Sequence, residues 1–177
     1  SDKVKVDRVR DFENLRVGVN NPIDFAFYKE LGAKPVFYEF STPIPTTQQY
    51  FDHRMSAIPT AYITLNKYEL YKKVKYINEM SHNVRVSIFV INNDFFNSLP
   101  QKYKNAVIKA SKIAGRIERA RSRTVNDELS DLYQKRDGIQ YVSFSLADQL
   151  ELRQVGLKIQ SRFENKFSKD LISRIRA

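Results

Sequence analysis

One arginine stands out as a residue whose setting could do chemistry. Leu15-Arg16-Val17-Gly18-Val19 reads as a short strand with apolar residues at alternate positions. A guanidinium in an apolar strand, near that strand's carboxyl end, needs a partner, because an unpaired buried charge is costly. The partner can be an acid of the protein. It can equally be a ligand carboxylate, which arginine grips as a planar fork through two charge-assisted hydrogen bonds. Asn20-Asn21-Pro22 follows directly and marks a helix start, with Asn21 as N-cap and Pro22 at the first helical position. The N–H groups at that helix start also favour an anion. Spacing alone leaves both readings open, a ligand carboxylate or a structural salt bridge.

Other chemistries find little support. The chain has no Cys, which excludes thiol nucleophiles, disulfide scaffolds and Cys-based metal sites. Its two histidines, His53 and His82, lie 29 positions apart, without an H-E-x-x-H spacing, and read as ordinary surface or half-buried residues; no metal site and no cofactor are expected. The five glycines stand singly, so neither a dinucleotide fingerprint nor a P-loop is present. Carboxylates are scattered, with no pair singled out for acid–base work. No catalytic residue is expected, and an enzyme is the least favoured class.

The net charge is +10, from 30 Lys+Arg against 20 Asp+Glu. Such a balance raises nucleic acid or an anionic ligand as a partner. Its densest feature lies in a long helical pattern, with Lys102, Lys104, Lys109, Lys112, Arg116, Arg119, Arg121 and Arg123. Acids are mixed in and no aromatic platform is interleaved, so a solvated helix face is the simpler reading and no nucleic-acid partner is expected. A basic module for nucleic acid or an anionic surface stays as the alternative function, and a truncated remnant that binds nothing as a third.

The elements that must position Arg16 follow from pattern. A helix runs from Pro22 to Leu31 and stops at Gly32. Pro35–Phe40 is a second strand, Thr46–Arg54 is helical, and Met55–Ile58 is a third strand. This βαβαβ alternation predicts a parallel sheet in an α/β fold, with ligands beyond the strands' carboxyl ends. A helix over 66–75, a strong strand over Val84–Ile91 and a short helical turn from Asn93 come next. A long helix from Gln101 to about Lys135, a strand over Ile139–Phe144 and a Ser145-capped helix from Ala147 complete the pattern. At 177 residues the chain can bury a core of its own, roughly 70% of its unfolded surface. No run approaches the roughly 18 apolar residues of a membrane span, and no signal peptide opens the chain.

These residues resemble a family. Leu15-Arg16-Val17, Asn21-Pro22, Leu31-Gly32-Ala33-Lys34-Pro35-Val36 and Phe40-Ser41 look like the second half of solute-binding proteins of TRAP transporters, the dicarboxylate-binding type. Val90-Ile91-Asn92 through Leu99-Pro100, the long helix and Asp137-Gly138 fit the same pattern, in order, from about Val9 to Arg153.

The resemblance implies a fold and a function. The fold is that of an α/β periplasmic-binding-protein-like lobe, with a mostly parallel sheet and a long connecting helix, lacking the family's N-terminal lobe portion. Residues 1–65 would form the second-lobe βαβαβ segment, 66–135 the crossover strand and long helix toward the first lobe, and 136–177 the returning strand and C-terminal helices. The function implied is a periplasmic receptor that captures an organic acid between two lobes and hands it to a membrane permease. Arg16 corresponds to the family's carboxylate-gripping arginine, Asn20 or Asn21 to a polar contact, and Phe40 to a residue packing on the ligand. The family's G-x-V-D segment departs here to His53-Arg54-Met55-Ser56-Ala57-Ile58-Pro59, so Ile58 stands where a polar residue usually meets the ligand. The first lobe would come from a longer protein, from a partner chain or from a second copy; a shortened gene product with its own fold is the remaining option.

Overall fold

The computed structural model describes residues 1, 4–38, 55–83 and 86–166. It shows an α/β chain with two short parallel sheets. β1 (Arg16–Val19) pairs in parallel with β2 (Lys34–Phe37), Arg16 opposite Lys34 and Val19 opposite Phe37. Between them runs α1 (Pro22–Glu30). Its start is built as expected: Asn21 Oδ1 accepts from the Asp24 N–H at 2.8 Å and Pro22 sits in the first turn. Its end falls at Gly32, whose φ of 79° suits only a residue without Cβ strain.

The expected third strand, Met55–Ile58, narrows to one parallel bridge of Ala57 with Val17, so β1 lies centrally. Hydrogen bonds from Gly18 N–H to the Ala57 carbonyl and from Ser56 N–H to the Arg16 carbonyl hold it. Gly18 explains the close approach. A Cβ there would overlap Met55 Sδ and stand 3.0 Å from Ile58 Cγ2 and 3.2 Å from Tyr38 Cδ1.

The expected helix over 66–75 is displaced. α2 covers Tyr62–Lys67, and Glu69 then adopts a left-handed φ of 51°, which ends the helix and leaves a 3-10 turn at Leu70–Lys72. β3 (Tyr76–Glu79) follows, a strand that the local pattern did not announce. It pairs in parallel with β4 (Gln140–Ser143), with Ile77 opposite Tyr141.

The expected strand Val84–Ile91 does not form over its described residues: 86–91 have no regular structure and are exposed. An apolar run becomes a strand only where another strand completes its ladder, and no described strand lies beside this one. The short helix α3 (Asn93–Ser98), capped by Asn92, and the 34-residue α4 (Gln101–Gln134) follow as expected. The last described helix, α5 (Leu146–Phe163), is capped by Ser145 Oγ, which accepts from the Asp148 N–H.

Packing concentrates on one side. Val17 and Val19 of β1, Phe27, Tyr28 and Leu31 around α1, Phe12, Phe144, and Leu152 and Ile159 of α5 form the main core. Glu30 on α1 pairs with Lys158 and Arg162 of α5 at its edge. A second cluster joins Leu65, Leu70, Ile77 and Tyr133, and so binds α2 and the β3–β4 sheet to the last turns of α4. Thr46–Arg54 lies outside the described residues.

Candidate ligand-binding site

Alternation along β1 sorts its residues onto two faces. Val17 and Val19 point into the main core at 1% and 0% exposure. Arg16 and Gly18 share the opposite face, where Tyr38, Met55 and Ile58 close on Gly18. The face is apolar except at its rim. There Arg16, exposed, opens the strand, with Lys34 as its in-register neighbour on β2. Neighbouring strands run about 4.8 Å apart, so two cations edge one apolar surface. Ile58 lies half-buried on this same surface.

Asn20 and Asn21 lie elsewhere. Arg16 is at the amino end of β1, not near the carboxyl end, and about 13 Å of strand separates its Cα from that of Asn20. Asn21 spends its side chain on structure. Its Oδ1 caps α1, and its Nδ2 donates to Asp24 Oδ2 at 2.7 Å and to Asn20 Oδ1 at 3.2 Å. The pairing of Arg16 with the α1 start, which spacing suggested, is therefore not assembled. Phe40 lies outside the described residues.

A cavity of about 1000 Å³ opens between the two sheets and α4. Val17, Ile58, Tyr62, Glu79, His82 and Glu118 are among its walls, and among the described residues no Lys or Arg is. A carboxylate entering it would meet Glu79 and Glu118 and, among the described residues, no side-chain cation.

Within that cavity is a polar cluster that sequence reasoning missed. Glu79 Oε2 accepts from both Tyr62 and Tyr141, the latter at 3.1 Å, while Ser81 Oγ donates to Oε1 at 2.7 Å. The two tyrosine hydroxyls lie 2.6 Å apart. Burial pushes the Glu79 carboxyl up, yet the hydrogen bonds from Tyr62, Ser81 and Tyr141 outweigh it and hold the group below its ordinary value. Burial first, and then the bond to Glu79, push the Tyr62 hydroxyl up. Three residues from α2, β3 and β4 meet here, so only the tertiary fold reveals them. His82 is the half-buried packing residue that its sequence context suggested: its ring stacks on Phe27 at 5.4 Å, and Nε2 lies 3.2 Å from the Tyr28 hydroxyl. Among the described residues no group of three or more acids and histidines could hold a metal, and no helix is long and apolar enough to cross a membrane.

The model of the bacterial extracellular solute-binding proteins, family 7 (DctP), matches residues 1–166. None of the curated proteins matches. Solved structures share the fold at low identity. A TRAP periplasmic solute-binding protein of Shewanella oneidensis with bound succinate aligns at a TM-score of 0.84 and 20% identity, over 95% of this chain and 54% of its own. One of Haemophilus influenzae with bound L-gulonate aligns at 0.81 and 19%, over 99% and 58%. An extracytoplasmic solute receptor of Bordetella pertussis that binds pyroglutamic acid aligns at 0.80 and 20%, over 96% and 55%. The chain thus spans little more than half the length of these structures. It belongs to the bacterial extracellular solute-binding protein family 7, the binding proteins of TRAP transporters, which are transport components and not enzymes.

Proposed function

We propose that this chain forms the carboxylate-gripping part of a periplasmic TRAP receptor, which captures an organic acid and delivers it to a membrane permease. The carrying observation is Arg16: a guanidinium at the rim of an apolar sheet face, in a family whose solved members hold succinate, L-gulonate and pyroglutamic acid. Arg16 takes the carboxylate as a bidentate fork. Asn20 and Asn21, at the far end of β1 and committed to the α1 cap, take no part in this grip. Ile58 offers the ligand a methyl surface and no hydrogen bond, which favours an acid with an apolar portion there. A second lobe closes over the bound acid, and the closed form is selected by the contacts the ligand adds across the cleft.

The experiment is a thermal-shift screen of the complete protein containing this chain against succinate, L-malate, L-gulonate, pyroglutamate and orotate. At least one acid should raise the midpoint, and Arg16→Ala should abolish the rise measured from that variant's own unliganded midpoint. A rise of equal size in Arg16→Ala overturns the role of Arg16. The absence of any rise across the panel overturns the organic-acid reading.

A further inference from the structure

The cations of α4 are not spread evenly around the helix. Lys102, Lys109, Lys112, Arg116, Arg119 and Arg123 recur at spacings of seven, three, four, three and four, which puts all six on one face. All six are exposed. From Lys102 to Arg123 the stripe runs about 32 Å along the helix axis. Asn105 and Ala120 share that face, so it presents no large apolar side chain between the charges. The acids of the helix stand elsewhere. Glu118 is the one acid between Lys102 and Arg123, and it lines the cavity instead. Asp127, Glu128 and Asp131 come only after the last cation of the stripe. Among the described residues none of the six makes a salt bridge. Like charges three and four residues apart destabilise a helix, so the stripe costs the fold and adds nothing to it.

We propose that this stripe docks the protein on a bilayer that carries anionic phospholipids, with α4 lying along the membrane plane. This rests on the reading above, a receptor that delivers its ligand to a membrane permease. Shape favours an extended surface over a small anion: the row of cations is straight and lines none of the cavity between the sheets and α4. Chemistry favours lipid over nucleic acid. The face holds no aromatic platform for bases, and the family is extracellular. Each Lys or Arg is drawn to an anionic leaflet within a Debye length, about 8 Å at physiological salt, and Arg can fork onto a lipid phosphate. With no large apolar side chain on the face, the attachment is electrostatic and does not penetrate the bilayer. Arg16 belongs to β1 and is no part of the stripe, so docking and ligand capture use different residues. A receptor held this way searches for its permease over a surface and not through a volume.

The test is co-sedimentation of the complete protein containing this chain with vesicles of phosphatidylcholine, with and without phosphatidylglycerol. At about 50 mM salt the phosphatidylglycerol vesicles should bind about 10-fold more protein or better, and about 500 mM salt should remove the difference. Lys109→Glu/Arg116→Glu/Arg123→Glu should lower binding to these vesicles by about 10-fold or more. Lys29→Glu/Lys67→Glu/Lys135→Glu reverses three exposed charges away from the stripe and should lower it far less. Circular dichroism matching the parent's confirms that both triple variants fold. Equal sedimentation with the two kinds of vesicle, binding that survives high salt, or equal losses in the two triple variants overturns the proposal. Binding to duplex DNA without binding to vesicles also overturns it and makes nucleic acid the partner. Acid binding is read by calorimetry on the same protein. Acid binding without vesicle binding overturns only this proposal; vesicle binding without acid binding overturns only the organic-acid reading.

Discussion

The two ends of α4 occupy opposite environments. At its carboxyl end Tyr133 is 0% exposed, packed with Leu65, Leu70 and Ile77, and its hydroxyl donates to Asn66 at 3.2 Å. Sixteen residues earlier, on the same helix, Ile117 is 62% exposed. Both are large apolar side chains in a regular helix, so helical structure itself does not decide what each contributes. One end spends its apolar surface on the stability of this chain; the other leaves it uncovered among the described residues. The difference separates apolar residues that hold this fold from those that add little to it.

The largest contrast to test is across that helix. Tyr133→Ala should cost about 3–5 kcal/mol in urea unfolding, because it empties a closed site. Ile117→Ala should stay within about 0.5 kcal/mol in the chain alone. Equal costs would erase the distinction. Next, Gly18→Val should destabilise by about 1–3 kcal/mol, since its side chain must displace Met55 and Ile58 from the sheet face. A smaller cost would mean that the Arg16 face is looser than it looks.

Much of the packed side was legible in the sequence, and for a local reason. Asn21-Pro22 and Gly32 bracket α1 within a dozen residues, and the apolar period of α4 needs no partner to be recognised. β3 was not legible. Its ladder comes from β4, some 60 residues downstream, and Tyr76-Ile77-Asn78-Glu79 carries no alternation that sets it apart from a loop. The segment 84–91 has the composition of a buried strand, but over its described part, 86–91, the ladder that would bury it is not among the described residues. Arg16 could be picked out as a lone cation between apolar neighbours. The Glu79 cluster could not, because Tyr62, Glu79 and Tyr141 become neighbours only when α2, β3 and β4 assemble.

That cluster supplies the next test. Glu79→Ala leaves two half-buried tyrosine hydroxyls without their acceptor and should cost about 1–3 kcal/mol. The carboxyl's folded value lies below its unfolded one. Its stabilisation is therefore fully present above about pH 4.5 and is lost as pH falls through the lowered folded value. Unfolding midpoints between pH 6 and pH 3 should fall less steeply in Glu79→Gln than in the parent; parallel curves would contradict this.

Smaller again is the α1 cap. Asn21→Ala should cost about 1 kcal/mol through the lost bond to the Asp24 N–H. If Asn21 serves chiefly as cap, the same variant leaves acid affinity in the complete protein nearly unchanged.

The most direct test of the central claim is a calorimetric titration of the complete protein with the best acid from the panel, parent against Arg16→Ala. The carboxylate-fork account predicts a loss of about 100-fold or more in affinity, in a variant whose circular dichroism matches the parent's. Equal affinity in the two proteins would contradict it.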